Sequence, residues 1–399
     1  MLLRMRGHTS TLPPPFSVLI LVVAAFVASP ACQECRGQTN AQDAARYAEW
    51  GAETLATIRR DLWLAERGLY AEKATARSAP GDDLQPAFMW GAGVQLSALA
   101  AAAQVDPGTY AKQLSEYADG LQEYWIEHDG IGGYSVLPGQ RRADRYYDDN
   151  AWIVLGLIET ATVASDVKFL ERARATQRFV MSGEDETLAG GVYWRENRRR
   201  SKNTCANAPA IVGALLLHRA TNEPQYLADA ERLYAWTQSR LQDPEDGLYW
   251  DNVRRSERVD RRKYSYNSAV MIRANCLLYE ITKGRKYLEE AERIAHAAVE
   301  HWIVLETGAL KDGGRFGHML LESLLAVRKL DGNAKWLDTA NKCAEFVHAK
   351  VRDPNGRYAQ RWDRQQSEPL ESFQLLDQAS AARTYFVSAA AMSGEEEAD

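Results

Sequence analysis

The sequence is poor in cysteine and in basic runs. Its five cysteines among 399 residues are too few for a disulfide-rich scaffold. Lys and Arg together number 48 against 54 Asp and Glu, which gives a formal net charge of −6. Because nucleic-acid binding draws on clustered positive charge, this balance argues against nucleic acid as the main partner. With 46% apolar and 26% charged residues, the chain is expected to be globular.

Long apolar runs are also scarce, and the one that stands out covers residues 16–28. Arg4 and Arg6 precede it, and the small residues Ser29-Pro30-Ala31 follow it. This pattern is typical of an export signal and is too short for an ordinary membrane span. We therefore expect residues 1–31 to direct export to the periplasm, the cell surface or the medium. A retained N-terminal anchor is the alternative.

A cysteine directly follows the expected signal. Cys32 occupies the position at which a bacterial lipoprotein carries its lipid, so a lipid on Cys32 is the one membrane attachment that we expect. Residues 393–399 form an acidic tail, unlike the apolar tail that a GPI signal requires. We expect the protein to be a monomer.

Metal-ligand spacing is missing from the histidines and cysteines. Cys32-Gln33-Glu34-Cys35 has no second pair near it, and Cys205, Cys276 and Cys343 lie far apart in apolar helical patterns, typical of buried thiols. The histidines His128, His218, His296, His301, His318 and His348 are scattered and have no Ser or Cys arranged as a nucleophile. We therefore expect neither a metal nor another cofactor.

Glycine followed closely by an aromatic residue recurs along the chain at intervals of about 40 to 70 residues. The six segments are Gly68-Leu69-Tyr70, Gly132-Gly133-Tyr134, Gly190-Gly191-Val192-Tyr193-Trp194, Asp246-Gly247-Leu248-Tyr249-Trp250, Gly313-Gly314-Arg315-Phe316 and Gly356-Arg357-Tyr358. Each interval is long enough for two helices and their connections, so the pattern predicts six helical pairs.

Apolar periodicity predicts twelve helices, and no stretch alternates as a long strand would. The helices are expected near 43–62, 86–104, 109–126, 149–165, 167–182, 206–221, 223–241, 266–282, 286–303, 317–331, 333–350 and 370–391. One helix of each pair is apolar all round and the other is charged on one face, which favours an inner and an outer ring. We predict an (α/α)6 barrel over residues 43–392, after a linker at 32–42, with short hairpin loops at one end. An open solenoid is the alternative.

The glycine–aromatic loops and the starts of the inner helices should meet at the same end of the barrel. Acids, amides and aromatic rings collect there, as a carbohydrate site requires. The residues that we expect to bind sugar are Trp90, Tyr147, Asn150, Trp194, Lys202, Asn203, Asn207, Tyr266 and Asn267.

Each of these assignments has a structural alternative. Trp90 and Trp194 are equally typical of a core, Asn203 and Asn207 of helix starts, and Lys202 of a solvated surface. The basic clusters at 198–200 and 254–263 are typical of solvated loops, or they could guide an anionic glycan.

The adjacent acids Asp148 and Asp149 are the most informative pair. One aspartate could cap the following helix, but a cap needs only one, and a second adds repulsion. At the mouth of a pocket their pKa values should separate, leaving one ionised and one protonated. Glycoside hydrolases use two carboxyl groups in these states, one ionised as nucleophile or base and one protonated as the acid. The spacing alone leaves both retaining and inverting chemistry open.

These motifs resemble glycoside hydrolase family 76, the endo-α-1,6-mannanases. The resemblance covers roughly residues 45–330 and rests on ordered motifs: Tyr147-Asp148-Asp149-Asn150-Ala151-Trp152, Gly190-Gly191-Val192-Tyr193-Trp194, Lys202-Asn203-Thr204-Cys205-Ala206-Asn207 and Tyr266-Asn267. It implies an (α/α)6 barrel that acts on α-mannan-like polysaccharides or oligosaccharides without a metal and with retention. It also implies that Asp148 is the nucleophile and Asp149 the acid/base.

The sequence departs from the family pattern at three places. Ile153 stands where a second Trp is usual, Ser268-Ala269 where Gln-Gly is usual, and 312–318 lacks a Phe-Lys-Gly stretch. These departures leave the aspartate pair intact and put the exact glycan in question. The competing functions are another (α/α)6 enzyme, such as an unsaturated glucuronyl hydrolase or a sugar epimerase, and a non-catalytic glycan-binding protein.

Overall fold

The computed structural model describes residues 30–78, 82–140 and 144–393. Within these ranges the chain forms twelve α-helices: α1 Pro30–Leu62, α2 Met89–Val105, α3 Pro107–Gly120, α4 Tyr147–Ala164, α5 Val167–Met181, α6 Thr204–Thr221, α7 Pro224–Leu241, α8 Ser265–Thr282, α9 Arg285–Trp302, α10 Gly314–Asp331, α11 Lys335–Phe346 and α12 Leu375–Ser393.

The strands are short and lie in the connections. They are β1 Trp63–Leu64, β2 Leu69–Tyr70, β3 Lys73–Thr75, β4 Trp125–His128, β5 Ile131–Tyr134, β6 Ser201–Asn203, β7 Trp250–Arg254, β8 Val259–Lys263, β9 Ile303–Val304, β10 Ala309–Leu310 and β11 Ser372–Gln374. All pair antiparallel, as β1–β2, β4–β5, β9–β10, β3–β11 and the three-stranded sheet β6–β7–β8.

The even-numbered helices form a closed inner ring. Each contacts the next along the chain, and α12 contacts α2, which completes the circle. The odd-numbered helices pack outside, for example α5 on α4, α7 on α6 and α9 on α8. This arrangement confirms the (α/α)6 barrel and excludes the open solenoid, whose first and last helices would not touch.

The two rings differ in side chains as the sequence predicted. Residues 204–217 of α6 are buried without interruption, as expected of a helix surrounded by others. On α9 the buried positions Leu288, Ala291, Ile294, Ala295, Ala298 and Trp302 follow a helical stripe, and the remaining face meets solvent.

Tight links join each inner helix to the outer helix after it. Ser165, Asn222, Lys283 and Gly332 follow the ends of α4, α6, α8 and α10 in left-handed conformations, the usual way for a helix to stop. Pro224 then occupies the first position of α7, where a missing N–H costs nothing. The chain therefore reverses within two or three residues.

The opposite end of the barrel is organised by side chains from the inner helices. The fourth residue of α4, α6 and α12 is an amide that bonds both the N–H and the C=O of one loop residue. Asn150 binds Tyr134, Asn207 binds Val192 and Gln378 binds Tyr358, at 2.7–2.9 Å. On α8, Ser268 accepts from the N–H of Tyr249 at 3.0 Å. We call these contacts the loop clamps.

A buried charge network joins the inner helices below the mouth. Arg383 is 5% exposed and donates to both carboxylate oxygens of Glu159 and of Glu322, at 2.9–3.0 Å. Arg273 pairs with the same two acids. Burial raises the pKa of Glu322, but the charges of Arg383 and Arg273 outweigh it and lower the pKa to about 2. The network borders a cavity of about 40 Å³.

Several boundaries differ from expectation. The helix expected near 109–126 ends at Gly120, and β4 begins at Trp125. Residues 32–42, expected as a linker, continue α1, because no residue between Ala31 and Leu62 is a proline that would stop it. The last helix begins at Leu375, since 372–374 pair with β3. The fifth loop turns at Gly308, which has φ +84°, whereas Gly314 opens α10.

Residues 1–29 and 394–399 lie outside the described residues, and with them most of the expected export signal and acidic tail. In the part of the chain that the structure describes, no helix combines the length and apolar character needed to cross a bilayer.

The charge network predicts a large effect of one substitution. Arg383→Met leaves Glu159 and Glu322 facing each other with only Arg273 to balance them, and we expect it to lower the free energy of unfolding by about 3–5 kcal/mol. The exposed Arg285 is the control, and its replacement by Met should change stability by no more than about 0.5 kcal/mol. Urea unfolding measures both, and equal losses would contradict a structural role for the network.

Candidate functional site

The first turn of α4 brings two acids to the mouth of the barrel. Tyr146 precedes the helix in an extended conformation, and Asp148 and Asp149 follow in the first turn. Both side chains are half-buried. The clamp through Asn150 fixes this turn against β5, so the position of the acids depends on the loop before them.

Asp148 is surrounded by hydrogen-bond donors. The indole N–H of Trp194 donates to its Oδ2 at 2.6 Å, the backbone N–H of Asp149 to its Oδ1 at 2.9 Å, and the thiol of Cys205 lies 3.5 Å from Oδ2. Burial raises the pKa of Asp148 to about 6, against the lowering effect of these donors. These donors stabilise the ionised form of Asp148 more than any contact stabilises the ionised form of Asp149.

Asp149 has different surroundings. Among the described residues, no side chain donates a hydrogen bond to its carboxyl group. Burial, followed by the negative charges of Asp148 and Asp144, raises the pKa of Asp149 well above its ordinary value. The pair therefore favours one shared state, with Asp148 ionised and Asp149 protonated.

Aromatic rings form a second part of the mouth. Tyr266 and Phe316 stack with ring centroids 4.4 Å apart, Trp90 stacks on Phe316 at 5.7 Å, and Trp152 lies 6.5 Å from Tyr266. All four are half-buried and come from α2, α4, α8 and α10. Rings that converge in this way offer apolar faces to a sugar.

Three residues of the site have no binding role in the sequence-based prediction: Phe316, Trp152 and Cys205. The sequence places Phe316 in a glycine–aromatic loop and Trp152 in the aspartate motif, and their signal is an aromatic residue near the start of an inner helix. The apolar neighbours of Cys205 predict a core position. It is buried, and burial raises the pKa of its thiol well above the usual value, so that it remains a donor toward Asp148.

Four of the expected sugar-binding residues have structural roles instead. Tyr147 is fully buried and stacks on Phe179. The amides of Asn150 and Asn207 are occupied by the loop clamps. Lys202 is buried and donates to the carboxylate of Asp185 and to three loop carbonyls. These four side chains bind other groups of the protein itself.

The other expected residues remain at the mouth. Trp194 is 40% exposed beside Asp148, and Trp90 and Tyr266 belong to the aromatic group. Asn203 is 7% exposed and accepts from the Ser201 hydroxyl. Asn267 is 1% exposed, and within the described ranges neither polar atom of its side chain has a partner, so its amide retains its bonding capacity.

The described residues contain no group of three or more His, Cys, Asp or Glu side chains placed to hold a metal ion. His318 is buried against Ser380 at 2.8 Å, and burial lowers its pKa to about 3.

The chain is similar to known glycoside hydrolases. The chain matches the model of glycosyl hydrolase family 76 over residues 65–313. A solved family 76 α-mannanase from Bacteroides thetaiotaomicron is 31% identical, with a TM-score of 0.82 over 88% of this chain and 97% of that one. An α-1,6-mannanase from Salegentibacter, solved as an inactive variant with two adjacent aspartates replaced and bound to α-1,6-mannotriose, is 20% identical with a TM-score of 0.74 over 86% and 99%.

Two curated relatives match over shorter stretches. The meiotically up-regulated gene 191 protein of Schizosaccharomyces pombe is 22% identical over 223 residues, which is 52% of this chain and 50% of that protein. The cellobiose 2-epimerase of Bacteroides fragilis is 30% identical over 124 residues, 28% of this chain and 32% of the epimerase. The chain thus spans about half of the first relative and a third of the second.

The contact between Trp194 and Asp148 predicts a shift in titration. Trp194→Phe removes the indole N–H, and we expect the pKa of Asp148 to rise by about one unit, since a hydrogen bond to a charged group contributes about 1.5–3 kcal/mol. Titration of labelled aspartate carboxyls by NMR measures it. Trp250→Phe, which removes a donor to Asp243, is the control. If the pKa of Asp148 does not change in Trp194→Phe, the hydrogen bond from Trp194 is refuted.

Proposed function

The chain belongs to glycosyl hydrolase family 76, and from that premise we propose that it hydrolyses internal α-1,6-mannosidic bonds of mannans with retention of configuration. The observation that carries the proposal is the unequal environment of Asp148 and Asp149 at the mouth of a closed barrel. Three donors surround the first carboxylate, while burial and two negative charges act on the second.

In the first step Asp148 acts as the nucleophile. Its ionised carboxylate attacks the anomeric carbon from the β face, and a bond forms between carboxylate oxygen and carbon as the glycosidic bond breaks. Trp194 and the N–H of Asp149 hold the attacking group in one orientation. The product of this step is a covalent β-mannosyl ester.

Asp149 supplies the proton that this step requires. Its raised pKa keeps it protonated, and it passes the proton to the departing oxygen 6 of the next sugar. In the second step Asp149, now ionised, takes a proton from a water molecule that attacks from the α face. The ester bond breaks, and Asp148 is regenerated as a carboxylate.

Substrate binding is assigned to the groups that remain free at the mouth. The rings of Trp90, Tyr266 and Phe316 provide stacking faces, and Trp194 adds an exposed ring beside the nucleophile. Asn267 is buried, and both polar atoms of its side chain lack partners within the described ranges; we assign a hydroxyl of the bound glycan to this amide. The mannotriose and mannotetraose complexes of the Salegentibacter enzyme support an oligosaccharide as ligand.

The two carboxylates can be distinguished by the stereochemistry of rescue. In Asp148→Ala, azide takes the place of the nucleophile on an activated α-mannoside, and we expect β-mannosyl azide. In Asp149→Ala the β-mannosyl ester still forms, and azide attacks its α face to give α-mannosyl azide. NMR of the anomeric proton identifies each product, and loss of the acid/base should slow an unactivated substrate by about 10²–10⁴-fold.

The control is Asp229→Ala, which changes an acid of α7 paired with Arg232 and should hydrolyse without azide. Opposite azide products would reverse the two roles. A wild-type protein that binds α-1,6-mannotetraose without cutting it would instead favour the glycan-binding function, and consumption of unsaturated uronides alone would favour the glucuronyl hydrolase.

We also propose that residues 1–31 direct export and that Cys32 becomes the lipid-bearing N-terminus. Expression with labelled palmitate should label the wild type, whereas Cys32→Ala should release an unlabelled protein into the soluble fraction. Cys205→Ala is the control and should remain labelled. Labelling that survives Cys32→Ala would contradict the proposal.

A further inference from the structure

We propose that a cluster of exposed arginines beside the mouth binds anionic substituents of the glycan, so that the substrate is a mannan that carries phosphate or carboxylate groups. This inference rests on the proposed function. The cluster, here called the arginine rim, consists of Arg198, Arg200, Arg254, Arg255, Arg258 and Arg261, and all six are exposed.

The three-stranded sheet brings these arginines together from two distant parts of the chain. Ser201 at the start of β6 pairs with Arg254 at the end of β7. The N–H of Arg255 donates to the carbonyl of Arg200 at 3.0 Å, and the N–H of Arg254 to the carbonyl of Arg258 at 3.0 Å. The loop before β6 and the hairpin between β7 and β8 therefore form one surface.

The rim lacks the acids that neutralise other arginines nearby. Arg195 and Arg262 are paired with Asp144 and Asp260. Across the described ranges, no carboxylate lies within ion-pair distance of any of the six rim arginines, and Glu257 is the single acid in the hairpin turn. Asp260 interacts with Arg254 beyond that distance, and the guanidinium of Arg261 lies 5.1 Å from the ring centroid of Trp250. In a chain of net charge −6, this is a local excess of positive charge.

The rim is also close to the proposed nucleophile. The N–H of Trp194 donates to the carbonyl of Ser201 at 3.1 Å, while its indole contacts Asp148. Residues 195–200 therefore form a loop whose tip lies within about 10 Å of Trp194, the reach of three residues. A glycan seated on Trp194 would extend its neighbouring sugars along the rim.

The chemistry of guanidinium selects the kind of ligand. Its fork of N–H groups matches the paired oxygens of phosphate and carboxylate, and a phosphomonoester carries a charge of about −1.5 to −2 at pH 7. Exposed guanidinium groups gain little from neutral hydroxyls in water. An acidic glycan accounts for both the stacking faces and the unpaired charges, whereas neutral mannan accounts for the first alone.

The test compares α-1,6-mannotetraose with the same tetraose bearing one phosphomonoester and with one bearing a glucuronate branch. We expect kcat/KM to be about tenfold higher for at least one charged form than for the neutral form, as a few rim ion pairs would give. The variant Arg198→Gln/Arg200→Gln/Arg255→Gln should bring this ratio close to one. Because screening shortens the range of such charges, 1 M NaCl should lower the wild-type ratio as well.

Two further variants keep the result interpretable. Arg219→Gln/Arg285→Gln/Lys286→Gln removes the same charge from the opposite end of the barrel and should leave the ratio at its wild-type value. Arg198→Lys/Arg200→Lys/Arg255→Lys retains charge without the fork and should give an intermediate ratio. A wild-type ratio of one for both charged tetraoses, or a ratio unaffected by the glutamine variant, would overturn the proposal.

Binding measured by calorimetry separates this inference from the proposed function. On Asp148→Asn/Asp149→Asn, the charged tetraoses should bind about tenfold more tightly than the neutral one. If the wild type cuts none of the three, the proposed hydrolysis fails, and the binding ratio still decides the role of the rim. A different result would assign the rim to lipid and overturn the proposal. In that case the protein with the rim intact binds all three tetraoses with equal affinity and also binds phosphatidylglycerol vesicles, and the glutamine variant no longer binds the vesicles.

Discussion

The site depends on a side-chain amide that satisfies both backbone groups of one loop residue. Asn150 does this for Tyr134 and Asn207 for Val192, as a neighbouring strand would. A buried backbone N–H or C=O left without a partner is costly, so the loop has one favourable position on the helix. Asp148 and Asp149 precede Asn150, and Trp194 follows Val192 by two residues. The clamps therefore set the contact between Trp194 and Asp148.

Helix α4 carries acidic side chains in two different electrostatic environments. At the start of α4 burial raises the pKa of both aspartates, and the charge of Asp148 raises the pKa of Asp149 further. Ten residues later, about 15 Å along the axis, Glu159 meets the guanidinium of Arg383 in a balanced network. The raised pKa values of the first arrangement favour proton transfer by its acids, whereas the guanidinium groups of the second lower the pKa of Glu322. The same helix thus carries the proposed catalytic acids at its start and a structural ion pair further along.

The fold was predictable because it repeats. Helical periodicity and the glycine–aromatic loops predict six pairs, and the contact of α12 with α2 confirms the closed barrel. The site was predictable only in part. An asparagine at a helix start has the same pattern whether it binds a sugar or a loop, so Asn150 and Asn207 were assigned to the wrong partner. Cys205 lies among apolar residues, and only the three-dimensional packing of α6 beside α4 brings its thiol to Asp148.

The ring closes between elements at opposite ends of the chain. Helix α1 packs chiefly on α12, and β3 pairs with β11 across almost three hundred residues. The apolar face of α1 therefore lacks its main native partner until the last helix is in place. Contacts between residues so far apart in sequence slow folding and prolong the exposure of apolar surface. The architecture that shapes the cavity thus delays the completion of the native ring until the two ends of the polypeptide meet.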